Sequence, residues 1–249
     1  MRPSSCARPH RLARASAALL DCGVVIPAPA IAVLASGQGS NFEALAHAAA
    51  RGELGGRIVL LLSDEPGAPA LERARRLGID ARVLPCGRFR TRIEDERPWI
   101  ETLRERGVGL VLLAGFMRRL HDDFLAAFPE RVLNIHPSLL PAFPGRDAIE
   151  RAWRHGVRIT GCTVHLVTGE LDGGPIVSQA AVEVRDGDSL ESLAARVHAA
   201  EHRLYPATVM RLVTEPWRCD GRRIVFGEAA SHGTGGAGPV ALAGGRRRA

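Results

Sequence analysis

Between about residue 31 and residue 227 the chain alternates short apolar runs with segments of helical spacing. Ile31–Ala35, Ile58–Leu62, Val108–Leu113 and Val132–Ile135 are short apolar runs of strand length, and Ala81–Leu84 is a further strand candidate. Between them, Asn41–Arg51, Ala68–Leu77 and Arg92–Arg106 repeat apolar residues at the three- and four-residue intervals of one helix face. Gly78 stands just past the second of these as a stop signal. Apolar strands separated by helices predict a parallel sheet covered on both faces. After Gly145 the order changes. A helix to about His155 is followed by two strand-like runs, Ile159–Val167 and Ile176–Val184, and then by a helix from Ser189 to about Val213. Pro206 predicts a kink or break in that last helix.

The flanks differ in composition. Residues 1–30 are rich in Arg, Ala, Ser and Pro and hold four Arg against one Asp. Transit peptides and export signals share that bias, but the one apolar stretch, Ala15 to Ile26, is interrupted by Asp21, Cys22 and Gly23. A disordered extension is expected there, and a disordered Gly/Ala-rich tail at 228–249 ending Arg246-Arg-Arg248. The formal charge of +6 lies mainly in these flanks, and the stretch between them is nearly neutral. That distribution does not suit a nucleic-acid face. No apolar run approaches the length of a membrane span, so no membrane partner is expected.

All 33 Lys and Arg residues are arginine, which removes Schiff-base, P-loop and general-base lysines from consideration. The five cysteines are widely spaced with no C-x-x-C pair. A zinc site or disulfide framework is therefore not expected, and a reducing cytoplasm fits. Cys162, in an apolar stretch, reads as a buried small hydrophobe.

Three segments carry candidate chemistry. Ser36-Gly37-Gln38-Gly39-Ser40-Asn41 follows a strand and opens a helix, where glycines let a ligand approach and the helix N-terminus favours an anion. The same sequence also serves as a plain turn. Asn134 and His136 alternate on one side of a strand, with Ile135 turned to the core. They lie at a strand C-terminus, where open α/β sheets bind ligands. An amide beside an imidazole suits acyl-type transfer, because both can donate to a developing oxyanion and the imidazole can move a proton. Asp172, in the turn Gly169–Pro175, either caps its own backbone or pairs with the imidazolium of His136. His165 is a further polar candidate on the preceding strand.

The strings Leu113-Ala-Gly-Phe-Met117-Arg118, Asn134-Ile-His-Pro-Ser-Leu-Leu-Pro141 and Leu171-Asp-Gly-Gly-Pro175 resemble those of the phosphoribosylglycinamide formyltransferase family. The turn at 36–41 and Ala200-Glu201-His202-Arg-Leu-Tyr205 fit as well, so the resemblance spans about Ile31 to Phe226. It implies one Rossmann-like α/β formyltransferase domain over 31–227, with helices on both faces of a mostly parallel sheet. It also implies transfer of a formyl group from 10-formyltetrahydrofolate to the amine of glycinamide ribonucleotide, in purine synthesis, without a metal. Asn134, His136 and Asp172 match the catalytic positions. Gly39, Ser40 and Asn41 match the phosphate site, and Glu201 a contact to the rest of the nucleotide. Met117, Arg118, Arg119 and Leu120 match the folate wall, Arg92 a position beside the folate, and 168–172 a turn over the pterin. Asn134 and Asp172 face the folate too. A monomer or homodimer is expected.

Two positions depart from the family pattern. Arg119 replaces an aliphatic residue, and Asp147 replaces a histidine at a place where it is expected to cap the following helix. Three other readings compete. Methionyl-tRNA formyltransferase typically has Arg-Trp-Arg-Gly where this chain has Ala142-Phe-Pro-Gly145, and it carries a C-terminal domain for which the residues after 226 are too few. Formyltetrahydrofolate deformylase adds an N-terminal regulatory domain that residues 1–30 are too short to form. A catalytically silent folate or nucleotide binder would have no need of Asn134, His136 and Asp172 together.

Overall fold

The computed structural model describes residues 28–227, in which a nine-stranded sheet is flanked by six helices. Most of the expected extension, the Gly/Ala-rich tail, Cys6 and Cys22 lie outside the described residues. The sheet order is β3-β2-β1-β4-β5-β6-β7-β9-β8. β1 (Ala30–Leu34), β2 (Arg57–Ser63), β3 (Ala81–Val83), β4 (Val108–Leu113) and β5 (Val132–His136) run parallel. β1, β2 and β4 read as nearly unbroken apolar runs because both faces are covered. In β1, Ile31 and Val33 pack on one side, and Ala32 and Leu34 on the other.

α1 (Ser40–Ala50), α2 (Pro69–Arg76) and α6 (Leu190–Thr214) cover the first face, through Phe42, Leu71 and Val209 among others. α3 (Arg97–Glu105) and α4 (Asp122–Ala127) cover the second, through Trp99 and Phe124. Each large apolar side chain so buried contributes about 1.5–3 kcal/mol. Cys162 is fully buried in a third cluster beside Val197, and burial pushes its thiol up to about 12. Among the described residues no helix is long and apolar enough to cross a membrane.

Beyond β5 the direction reverses. β6 (Ile159–Leu166) pairs antiparallel with β5, and β7 (Ile176–Glu183) antiparallel with β6. The register sets Asn134 opposite His165 and His136 opposite Thr163. Thr163 Oγ1 donates to the Ser138 carbonyl at 2.7 Å and accepts from Leu140 N at 3.0 Å. The loop leaving β5 is thereby fastened to the antiparallel strand.

The structure corrects the sequence reading in five places. The helix expected from Arg92 begins at Arg97. Pro98 lies in its first turn, where a missing N–H costs nothing. Upstream of it, Arg92 is extended and bridges Arg119. α6 continues through Pro206 for 25 residues without a break. Proline removes one backbone bond, whereas Val197, Tyr205 and Val209 anchor the helix on both sides of it. α4 is too short to show a helical period, and the hairpin β8 (Trp217–Asp220) to β9 (Arg223–Phe226) was not anticipated, although Asp220-Gly221 is a hairpin-turn signal. α5 (Ala148–Arg154) starts after Asp147, whose side chain makes no capping bond.

Tyr205 ties α6 to the sheet. Its hydroxyl lies 3.2 Å from the Leu113 carbonyl at the end of β4 and 3.1 Å from that of Leu133 near the start of β5. Tyr205→Phe keeps the ring packing and removes this link. It is expected to lower unfolding free energy by about 1 kcal/mol, read as a shift of the urea midpoint. An unshifted midpoint would mean that the hydroxyl holds nothing.

Candidate active site

The site opens at the C-terminal ends of β1, β4 and β5. Asn134 and His136 project from the same side of β5, and Ile135 turns into the core as the alternation requires. Asn134 Nδ2 lies 3.1 Å from His165 Nε2. His165 Nδ1 lies 2.9 Å from the Leu166 carbonyl, which can only accept, so the proton sits on Nδ1 and Nε2 accepts from the Asn134 amide. By the same logic His136 donates from Nε2 to the Phe143 carbonyl at 2.9 Å. Phe143 itself is left-handed, at φ 51, a costly conformation for a bulky residue. Ser138 Oγ donates to the neighbouring Ala142 carbonyl at 2.5 Å and helps to hold that turn.

Asp172 comes from the turn between β6 and β7 and reaches back across the cleft. Its Oδ2 lies 3.5 Å from His136 Nδ1 and accepts from Gly145 N at 2.7 Å. Its Oδ1 lies 3.6 Å from His165 Nε2, beyond ordinary hydrogen-bond length. Burial alone would push the carboxyl up. His165, the Gly145 N–H and the charge of His136 outweigh burial and hold it below the ordinary carboxylate value. Asp172 is therefore an anion at neutral pH, with its side chain only 8% exposed. The turn needs Gly174, since a Cβ there would stand 1.8 Å from the Leu166 carbonyl oxygen.

A cleft of two adjoining cavities, about 360 Å³ and about 100 Å³, surrounds this centre. Phe116, Arg118, Arg119, Asn134, Leu171 and Asp172 line both. The smaller cavity runs under residues 168–172 to Leu120. The larger one reaches Asn41, His198 and Glu201. Of the expected phosphate residues Asn41 lines it and Gly39 and Ser40 do not. Gly39 is the N-cap of α1 at φ 73, and a Cβ on it would lie 2.6 Å from that of Ala70, so only glycine fits. The first α1 amide to find an intrahelical carbonyl is Glu43 N, on Gly39 O. The N–H groups of Ser40 and Asn41 precede it and are those a helix start leaves free for an anion. Asn41 Nδ2 donates to Glu201 Oε2 at 2.9 Å, although the two residues lie on different helices.

The Formyl transferase family matches this chain over residues 30–209. The chain belongs to that family. It is 41% identical over 182 residues to the phosphoribosylglycinamide formyltransferase of Bacillus subtilis (strain 168), covering 73% of this chain and 93% of the relative. To the Escherichia coli (strain K12) enzyme of that name it is 40% identical over 200 residues, covering 80% and 92%. The crystal structure of glycinamide ribonucleotide transformylase 1 from Symbiobacterium toebii superposes with a TM-score of 0.76 at 44% identity, covering 80% of this chain and 93% of that one.

Among formyl transferase residues expected at the folate wall, Met117, Arg118, Arg119 and Leu120 do line the cleft, whereas Arg92 does not. Its guanidinium stacks 3.9 Å over the Phe89 ring. Arg118 presents the cleft little free charge. It donates to Asp64 Oδ2 at 2.5 Å, Glu65 Oε1 at 2.9 Å and the Phe89 carbonyl at 2.9 Å. Ser36 Oγ donates to the same Asp64 and accepts from Met117 N. The anion turn and the 116–120 wall are thus pinned together by a buried carboxylate that sequence reading missed. Asp147 is exposed and lines the larger cavity beside Arg146. Among the described residues no group of His, Cys, Asp and Glu is arranged to hold a metal ion.

Removing one partner of the Arg118–Asp64 pair leaves a buried carboxylate uncompensated. Arg118→Ala is expected to cost about 3 kcal/mol of unfolding free energy, and the exposed Arg119→Ala under about 0.5 kcal/mol. Equal urea midpoints for the two variants would refute the clip.

Proposed function

We propose that this enzyme transfers the formyl group of 10-formyltetrahydrofolate to the primary amine of glycinamide ribonucleotide, giving formylglycinamide ribonucleotide and tetrahydrofolate. One observation carries the reading: Asn134, His136 and Asp172 meet in a cleft that continues to the free N-terminus of α1. The relatives named phosphoribosylglycinamide formyltransferase support the choice of acceptor.

In this reading the nucleotide phosphate lies on the amides of Ser40 and Asn41, with Gly39 giving it room, and Glu201 accepts from the ribose. The pterin enters the smaller cavity under 168–172, beside Arg119 and Leu120. The amine adds to the formyl carbon, and the carbonyl oxygen gains charge. Asn134 and His136 are placed to donate to that oxygen. Both are engaged in the free protein, on His165 and on Phe143. The formyl oxygen therefore exchanges with those acceptors when it binds. The C–N bond to the acceptor forms, that to folate N10 breaks, and the amine proton passes to N10. Asp172 keeps its imidazolium partner oriented and takes part in the proton's passage.

Asp172→Asn preserves shape and removes the anion. Turnover at saturating substrates is expected to fall by about 10²- to 10³-fold, with nucleotide binding by calorimetry nearly unchanged. Because the Asp172 carboxyl is depressed, its contribution is present throughout the neutral range and is lost only as pH falls through the lowered value. The acid limb of the wild-type rate profile should therefore lie below the ordinary carboxylate pKa, provided folding persists. Near-normal turnover of the variant would remove Asp172 from the mechanism. Formate release from the folate alone, with no transfer to the nucleotide, would replace the proposed reaction by hydrolysis.

A further inference from the structure

The turn before α1 is held from outside by a side chain that lines neither cavity of the cleft. Arg73 of α2 donates from Nε to the Gln38 carbonyl at 2.8 Å, and its guanidinium also pairs with Glu43 of α1. Ala70 N, at the start of α2, donates to the Gly37 carbonyl at 3.1 Å. Two successive carbonyls of the turn therefore face α2. The α1 ladder opens with Glu43 N on Gly39 O, one residue too late to take up the Gln38 carbonyl. A trans peptide is planar, with its N–H opposite its C=O. Holding the Gln38 carbonyl on Arg73 thus holds the Gly39 N–H on the side away from α2. Gly39 is left-handed at φ 73, and successive amides around such a residue converge on one anion.

We infer that Arg73 is a positioning residue for the acceptor. Through the Gln38–Gly39 peptide it keeps the Gly39, Ser40 and Asn41 amides aimed at the phosphate, without touching the nucleotide itself. This role rests on the assignment, made in the proposed function, of the phosphate to that turn. Arg73 acts by geometry rather than as a ligand, because its donors are already taken by a carbonyl and a carboxylate. Glu43 balances its charge, and the second oxygen of Glu43 lies 3.6 Å from Arg76. A guanidinium suits the task, since its donors are fixed in one plane and can hold both acceptors at once. A single ammonium cannot do so in the same geometry. Glycine offers little resistance to rotation of the peptide on either side of it, so the turn needs such an external hold.

The test compares wild type with Arg73→Met and Arg73→Lys, using glycinamide ribonucleotide and its dephosphorylated riboside as acceptors. KM and kcat are determined for each acceptor, and KM for the folate. A pair exposed to this extent contributes little to stability, so both variants are expected to fold, with urea midpoints as the check. In Arg73→Met the KM for the nucleotide is expected to rise about five- to tenfold, with kcat and the folate KM within about twofold of wild type. Its kcat/KM for the riboside should be unchanged, because the riboside has no phosphate to misplace. Arg73→Lys keeps the charge and should recover only part of the preference for the nucleotide. An unchanged nucleotide KM, or a rise shared by both acceptors, overturns the inference and leaves the transfer reaction standing. Full recovery in Arg73→Lys overturns it too, since charge alone would then account for the effect. A wild type that does not prefer the nucleotide to the riboside removes the phosphate from the turn and the inference with it. Absence of transfer to either acceptor overturns the proposed function as well.

Discussion

Asp172 and His136 face each other at 3.5 Å in a nearly dry part of the cleft, and the arrangement of the site depends on that contact. A carboxylate buried to this degree is costly unless donors surround it. Gly145 N donates to it, His136 and His165 approach it at 3.5 Å and 3.6 Å, and each of the three comes from a different segment. The requirement to satisfy one anion therefore draws the loop after β5, the end of β6 and the turn 168–172 into one place. Gly174 lets that turn pass the Leu166 carbonyl closely enough to reach it.

The two halves of the cleft are built on different physical terms. At the reacting centre, amide and imidazole donors are paired with internal acceptors, His165 Nε2 and the Phe143 carbonyl. A ligand oxygen that replaces those acceptors meets groups already aimed, so little reorganisation is left for the reaction step. At the α1 end the donors are backbone amides at a helix start, fixed by a glycine that tolerates both the left-handed backbone and the proximity of Ala70. Ser36, Asp64 and Arg118 join that turn to the wall at 116–120, so the two ends of the cleft are tied to each other.

Much of this was legible in the sequence for a physical reason. Strands buried on both faces must be apolar throughout, so β1, β2 and β4 appear as runs, and alternation alone places Asn134 and His136 on one side of β5. What was not legible depends on distance along the chain. Periodicity does not specify that β6 returns antiparallel, and it is the register of β6 that sets His165 against Asn134. The resemblance to formyltransferases, rather than spacing, associated Asp172 with His136. Arg92 was read into a helix because its neighbours fit the period, but the segment before Pro98 is extended and sends the side chain to Phe89. Arg118 was read as wall, since nothing local reveals a partner as distant as Asp64. His198 had a readable signal, three residues before Glu201 on one helix, and it went unused.

The most direct test is a crystal structure of the protein with glycinamide ribonucleotide and a folate analogue whose formyl group cannot be transferred. The account predicts the formyl oxygen at about 3 Å from Asn134 Nδ2 and His136 Nε2, both released from their internal acceptors, with the phosphate on the Ser40 and Asn41 amides. A complex with both ligands bound, in which Asn134 stays on His165, His136 stays on Phe143 and the formyl oxygen faces neither, would contradict it.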